Sequence, residues 1–300
     1  MIVLERAYPQ KALLDEILLM RLPKNYSKLP MIEADFHREM AGYRGEQALD
    51  YYLTFLPQDD YYIFQALRLQ YEIWTFQIDF HLLTTRFALI IEAKNLGGKL
   101  NFENKFHQLI QFYHEKEKVY DDPTAQAERQ RRLLSRWLAQ YLPVPLPIEC
   151  LVVMSNTTAI LTTDSHDIPK RVCKPFKLLD KIERIEHFYS KETIDRKTVK
   201  KLSKLLLQHH TPKSFNILSE YQIPQKDILT GVRCPTCKNL PMIYQYGKWH
   251  CKLCGTSSKD AHLASLNDYF SFLNLGSQMQ NSKSFSICLP TISHRKCFSN

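Results

Sequence analysis

Glu92 and Lys94 stand two residues apart at the exit of the apolar run Phe87–Ile91, and Asp79 lies thirteen residues before Glu92. On a β-strand, residues two apart leave the same face. If the strand carrying Asp79 pairs with the next through a Thr84-Thr85 turn, two carboxylates and an ammonium converge at one end of a sheet. Two carboxylates with spare lone pairs suit a hard cation, Mg²⁺ or Mn²⁺. Such an ion lowers the pKa of a bound water and stabilises charge on a phosphoryl oxygen, while Lys94 would orient the water or offset that charge. A plainer reading stands beside this one. E-x-K is a short pattern, repeated at Glu103-Asn104-Lys105, and a Glu92–Lys94 ion pair would also account for an acid that is costly to bury alone.

A second site is written in sulfur. Cys234-Pro-Thr-Cys237 and Cys251-Lys-Leu-Cys254 form two C-x-x-C pairs. This spacing makes two knuckles that close a tetrahedral, structural Zn²⁺ site. Gly255 permits the tight turn after the second pair, and the stretch Leu240–Trp249 can form a hairpin. So small a module has too little core to hold itself without the metal. His250 adjoins Cys251 as a rival ligand. Arg233, Lys238, Lys248, Trp249 and Lys252 surround the cysteines. Trp249 either stacks on bases beside the cations or packs on the small core.

The elements that must position these residues follow from periodicity. Lys11–Leu22 reads as a helix closed by Pro23. Arg38–Leu56 reads as another, with apolar positions spaced three, four and seven apart. Tyr61–Leu67, Phe76–Leu82 and Arg86–Lys94 read as strands. Asn95-Leu96-Gly97-Gly98 is turn chemistry, after which Lys99–Phe102 is expected to extend an antiparallel meander. Residues 103–124 give no clear pattern. Ala125–Tyr141 reads as a helix and Ile148–Met154 as a buried strand, so the first domain is expected to end near residue 165. Arg196–His210 is the best helix of the segment that follows, and His262–Leu273 reads as a short helix. The serine-rich tail, 276–300, is expected to be poorly ordered.

Composition narrows the partners. The chain has 300 residues and a formal charge of +9, which points to a polyanion, nucleic acid before a membrane surface. From Asp167 to Lys213 there are 13 Lys/Arg against 6 Asp/Glu. No apolar run is long enough to span a bilayer, no export signal opens the chain, and no glycine-rich nucleotide loop is present. The thiol usage suits the cytoplasm.

Several motifs occur in order. Gly42-Tyr-Arg-Gly-Glu46 opens onto an amphipathic helix, followed by Gln77-Ile-Asp79, Ile90-Ile-Glu-Ala-Lys-Asn95 and Pro123-x-x-Gln126. Together they resemble the nuclease-related domain, or NERD, family, a branch of the PD-(D/E)XK nucleases, over about residues 38–160. The resemblance implies an α/β fold with a mixed β-sheet flanked by helices, restriction-endonuclease-like, and metal-dependent cleavage of a phosphodiester. It implies Asp79 and Glu92 as ligands of Mg²⁺ or Mn²⁺ and Lys94 as the catalytic lysine. Glu46 would be a helix-borne acid supporting the metal site, and Gln126 a polar residue near the same pocket. Glu46 has a simpler role open to it, as an acid in the first half of a helix, and so has Gln126, in the first turn of one. Phe80-His81 departs from the family pattern, and His81 reads best as the cap of a sheet edge.

The expected order is a helical segment at 1–36, the nuclease-like domain at 37–165 and a basic helical linker at 166–230. A small zinc ribbon at 231–260 and a short helix with tail at 261–300 complete it. The function read from this is metal-dependent hydrolysis of nucleic acid, DNA foremost. The alternative is a non-catalytic nucleic-acid-binding or scaffold protein on the same fold.

Overall fold

The computed structural model describes residues 1–103 and 105–273; the expected tail at 276–300 lies outside the described residues. Along the chain, β1 (Ile2–Leu4) and α1 (Gln10–Arg21) precede α2 (Leu29–Leu53). Then come β2 (Tyr62–Tyr71), β3 (Trp74–Leu83), β4 (Ala88–Lys94), β5 (Lys99–Glu103), β6 (Gln108–Tyr113) and β7 (Lys116–Asp121). α3 (Pro123–Leu138), β8 (Ile148–Met154), β9 (Ile160–Thr163), α4 (Ile168–Arg171), β10 (Val172–Cys173), α5 (Leu178–Phe188) and α6 (Arg196–His209) follow. α7 (Ile217–Glu220), β11 (Ile243–Gln245), β12 (Lys248–His250), β13 (Ser257–Ser258) and α8 (Ala261–Leu273) complete the order.

These elements form two compact units: Met1–Ala7 with Ala41–Lys213, and Tyr8–Met40 with the chain from Ser214 onward. The first is mixed α/β. Its main sheet runs β1-β2-β3-β4-β8-β10. β2, β3 and β4 form the expected antiparallel meander, and β8 lies parallel to β4 from Ala88↔Ile148 to Lys94↔Met154. A parallel neighbour needs a crossover, and α3 supplies it, burying Ala127, Leu134, Trp137 and Leu138. Asp122 caps α3 by accepting from the Thr124 amide at 2.8 Å, with Pro123 in the first turn, where its missing N–H costs nothing.

Three local expectations change. β5 does not extend the meander, because β8 occupies that edge of β4; it joins a second sheet, β7-β6-β5-β9. The chain leaves through Gly98, at φ +80°, where a Cβ would meet the Phe112 carbonyl at 2.3 Å. Residues 103–124 contain β6 and β7, joined by His114 and Glu115 at φ 48° and 59°. Positive φ at both central residues suits the twist of a hairpin, but without Asn or Gly it leaves no sequence signal. α2 begins at Leu29, nine residues before the expected start at Arg38, since Pro30 falls in its first turn.

The segment expected as a linker supplies core instead. Ile168, Val172, Ile194, Val199, Leu202 and Leu206 pack with α3 and the sheet, while Cys173, Leu178 and Ile182 line the opposite core. Only the solvent face of α6 keeps its lysines. The first seven residues also belong to this unit, with β1 pairing parallel to β2. In the second unit α1, the start of α2 and α7 share a core of Leu14, Leu18, Ile32, Ile217 and Tyr221.

Candidate active site and metal centre

β4 delivers Glu92 and Lys94 to the α3 side of the sheet. Glu92 is 2% exposed and fully engaged. Lys94 Nζ lies 2.8 Å from its Oε1, Gln126 Nε2 donates to Oε1 at 2.7 Å, and Gln130 Nε2 donates to Oε2 at 2.9 Å. Lys94 also donates to Gln126 Oε1 at 3.0 Å. The amide of Gln126 thus bridges ammonium and carboxylate. Gln126 and Gln130 reach the same acid because residues four apart share a helix face. Gln130 escaped the sequence reading; its signal was a lone polar residue in the apolar stripe Ala127, Leu134, Trp137 and Leu138.

Asp79 arrives from β3. Its Oδ2 accepts from the Ala93 amide at 2.9 Å, where β3 and β4 part. Burial, with the charges of Glu92 and Glu46 added, pushes its carboxyl well above the usual range. The site can therefore hold a proton, or exchange it for a cation. The Gln130 Oε1 is buried with no hydrogen-bond partner among the described residues, so an acceptor stands ready beside the acids. Carboxylates and an amide oxygen are the donor set a hard divalent ion takes, and Asp79, Glu92 and Gln130 are the residues that would hold it. The oxygens of Asp79, Glu92 and Glu46 are not all drawn within 4.8 Å of one another, as the four cysteine sulfurs are.

Glu46 sits in the second half of α2, so the helix-dipole role does not apply to it. Arg6, just past β1, holds it: Nε to Oε2 is 2.6 Å, and Nη1 reaches Asp50 Oδ2 at 3.0 Å. Burial still raises the Glu46 carboxyl, against the pull of Arg6. Arg6 was missed because forty residues separate it from its partner. Gly45 explains how α2 comes so close. A Cβ there would lie 2.5 Å from Asn95 Cβ and 2.7 Å from Ser155 Oγ, whereas Gly42 faces open space. Asn95 Nδ2 donates to the Ala41 carbonyl at 2.7 Å, tying the end of β4 to α2.

His81 does not cap a sheet edge. It is fully buried on a central strand, its ring 5.6 Å from Phe64, with neither ring nitrogen well hydrogen-bonded. Burial brings its pKa down to about 4. The cause is a break opposite Asp79, where Ala66 takes φ 53° and the ladder skips the Ala66/Asp79 pair. Phe76 and Ile78 face one core, Phe80 and Leu82 the other. Strict alternation from Phe76 to Leu82 could not reveal that exchange.

In the second unit, Cys234, Cys237, Cys251 and Cys254 hold all four sulfurs within 4.8 Å of one another. The closest pairs are Cys234–Cys254 at 3.6 Å and Cys237–Cys251 at 3.5 Å. Tetrahedral Zn²⁺ with bonds of about 2.3 Å spaces its sulfurs about 3.8 Å apart, so the cluster fits one ion. Each knuckle is closed by backbone: the Lys238 amide donates to Cys234 O at 3.1 Å and the Gly255 amide to Cys251 O at 3.0 Å. The hydroxyl and amide of Thr256 bring the Cys254 thiol down to about 6. His250 stands apart as a ligand, its ring paired with Gln245 O and Ser257 Oγ. β11 and β12 form the expected hairpin, and Trp249 is 3% exposed, packed with Val232, Met242 and Ala261. Its stacking role is withdrawn. Arg233 is likewise occupied, 3.3 Å from Asp268. Among the described residues no helix is long and apolar enough to cross a membrane.

No curated protein and no solved structure matches this chain. A family model does: residues 41–155, which contain Glu46, Asp79, Glu92, Lys94, Gln126 and Gln130, match the one described as the nuclease-related domain. Those residues are thus similar to the nuclease-related domain, or NERD, family, and a four-cysteine cluster able to hold zinc lies C-terminal to them.

Proposed function

We propose that the protein is a Mg²⁺- or Mn²⁺-dependent nuclease, acting on DNA foremost. The observation that carries the reading is the hydrogen-bonded set Glu92, Lys94, Gln126 and Gln130, with Asp79 beside it, inside the segment that matches the family. A divalent ion bound there would acidify a water and stabilise charge on the scissile phosphate. Asp79 and Glu92 would hold it, and its charge would remove the proton that burial favours on Asp79. Lys94, 31% exposed at the side chain, reaches solvent, and its ammonium would meet the phosphate. The Gln126 amide fixes that ammonium, so little reorganisation is needed at the moment of reaction. The exposed lysines of α6, Lys197, Lys200, Lys201 and Lys204, would grip the phosphate backbone, and in the second unit Lys248 and Lys252 offer the same chemistry. A reducing compartment such as the cytoplasm suits the four thiols.

The test is single-turnover cleavage of double- and single-stranded DNA and of RNA with Mg²⁺ or Mn²⁺. Lys94→Ala is expected to lower the rate about 10²–10³-fold, and Asp79→Ala to abolish the metal-dependent cleavage. Equal rates for Lys94→Ala and the parent contradict the reading.

A second reading rests on a different observation. Every Glu92 oxygen already has donors, and Glu46 is ion-paired with Arg6. A nucleic-acid-binding protein that keeps the fold without the chemistry would look the same. It predicts salt-sensitive binding, indifferent to Asp79→Ala, and no cleavage.

A further inference from the structure

At the other end of β8 a cleft of about 560 Å³ opens between β8, α4 and α5. β10 pairs only with Val152 and Val153, so the edge of β8 at Glu149–Leu151 is left bare and floors the cleft. Its walls carry Lys170, Arg171, Lys181 and Arg184 against one carboxylate, Glu149. That carboxylate is already occupied, accepting from the Tyr189 hydroxyl at 2.6 Å.

The cations are not equivalent. Lys181 Nζ donates to the carbonyls of Pro169 and Lys170, capping the short α4, and Lys170 pairs with Asp167 at 2.8 Å. Arg171 and Arg184 form no salt bridge with a described residue; Glu128 and Asp167 act on the one and Asp180 on the other at longer range. α5 aims its basic residues here by spacing. Lys181, Arg184, Ile185 and Phe188 lie three, four and seven apart, one helix face. Of the three acids of α5, Asp180 pairs with Lys177 and Glu186 with Tyr61 and Arg86, and Glu183 does not line the cleft. Phe188 ends the stripe 78% exposed, its ring edge-on to Tyr189 at 4.8 Å. Two unpaired guanidiniums suit a phosphate bidentately, and an exposed ring beside them suits a base. The volume is that of a small-ligand pocket.

We propose that this cleft binds a nucleoside phosphate, with the phosphate between Arg171 and Arg184 and the base against Phe188. The ligand is either a free nucleotide or the phosphorylated end of a strand. Cys150, in the cleft floor, lies four residues before Met154, the register partner of Lys94, about 13 Å along the strand. The cleft is therefore separate from the acid pocket, and binding there needs no cleavage.

Calorimetric titration of the full chain carrying Glu92→Ala, which silences turnover, tests this apart from the nuclease reading. The probes are AMP, ADP, ribose 5-phosphate, and a hexanucleotide with a 5′-phosphate or a 5′-hydroxyl. Saturable binding of AMP or ADP assigns a free-nucleotide site. Preference for the 5′-phosphorylated hexamer over the 5′-hydroxyl form assigns a strand-end site. Either result supports the proposal when Arg171→Glu or Arg184→Glu weakens it at least about 10-fold. Phe188→Ala should weaken nucleotide binding about 10-fold and leave ribose 5-phosphate unchanged. Circular dichroism checks that each exposed-site variant is folded, with Arg184→Gln as the milder substitute. The proposal is overturned if no phosphate-bearing probe binds, if charge reversal leaves affinity unchanged, or if ribose 5-phosphate binds the parent as well as AMP does.

Discussion

The acid pocket and the cysteine cluster solve opposite problems. The four sulfurs are already gathered at the spacing of a tetrahedral ion, and C-x-x-C brings each pair together within one turn of chain. Nothing in such a closed shell is left to react. The acids come from α2, β3 and β4, and none is fully given to a common centre. Asp79 holds an amide, Glu92 is shared among an ammonium and two carboxamides, and Glu46 answers to Arg6. On the proposed function, the pocket would exchange ion, water and phosphate, and such a site would keep its ligands partly free. The contrast teaches that tight preassembly suits a structural metal, while acids shared among several partners would suit the site proposed for chemistry.

The sharpest break of that comparison is loss of a thiolate. Cys234→Ser should remove about one Zn²⁺ per chain and melt the β11–β12 hairpin, since metal binding to such modules is worth on the order of 10 kcal/mol. Metal analysis with NMR of the Trp249 indole reads both; a variant that keeps stoichiometric zinc removes the four-thiolate account.

Next in size is His81. Its pKa of about 4 against an ordinary 6.5 means that the unfolded chain takes up a proton first as pH falls. Stability is therefore lost between about pH 6.5 and 4, by roughly 3 kcal/mol in total. His81→Leu should erase that loss, seen as a flatter curve of denaturant midpoint against pH. An unchanged slope would place the acid sensitivity elsewhere.

Gly45→Ala comes third. The added methyl meets Asn95 and Ser155, and overpacking of this kind costs about 1–3 kcal/mol. Chemical denaturation should show the loss for Gly45→Ala and little change for Gly42→Ala, whose Cβ meets nothing.

Last is a change whose sign matters more than its size. The Asp79 carboxyl is raised by burial and by Glu92 and Glu46, so its ionised form opposes folding as pH rises through the raised pKa. Asp79→Asn should raise the melting temperature at neutral pH, and that gain should fade below about pH 4, where the acid is protonated in both states. Cleavage should fall in the same variant. A protein made less stable at neutral pH by Asp79→Asn would mean that the carboxylate is a structural partner.

Most of this arrangement was legible where chemistry repeats locally. The two C-x-x-C pairs, the E-x-K at the end of an apolar strand and the helices with spacings of three and four were plain in the chain. What stayed hidden depends on distance or on geometry without a residue signature. Arg6 meets Glu46 across forty residues. Gln130 reads as an ordinary helix glutamine until its face is known. The exchange of faces at Asp79 rests on one alanine with positive φ, which no residue preference announces. The basic segment misled because charge is counted along the chain, whereas Val199, Leu202 and Leu206 turn inward at helical spacing and make it part of the core.

The most direct measurement is a cleavage panel over DNA and RNA forms with Mg²⁺ titrated from zero, run for the parent and for Glu92→Ala. The account predicts cutting by the parent that requires the ion, and at least about 10²-fold less by the variant. Intact substrates in every lane, or equal cutting by both proteins, would contradict it.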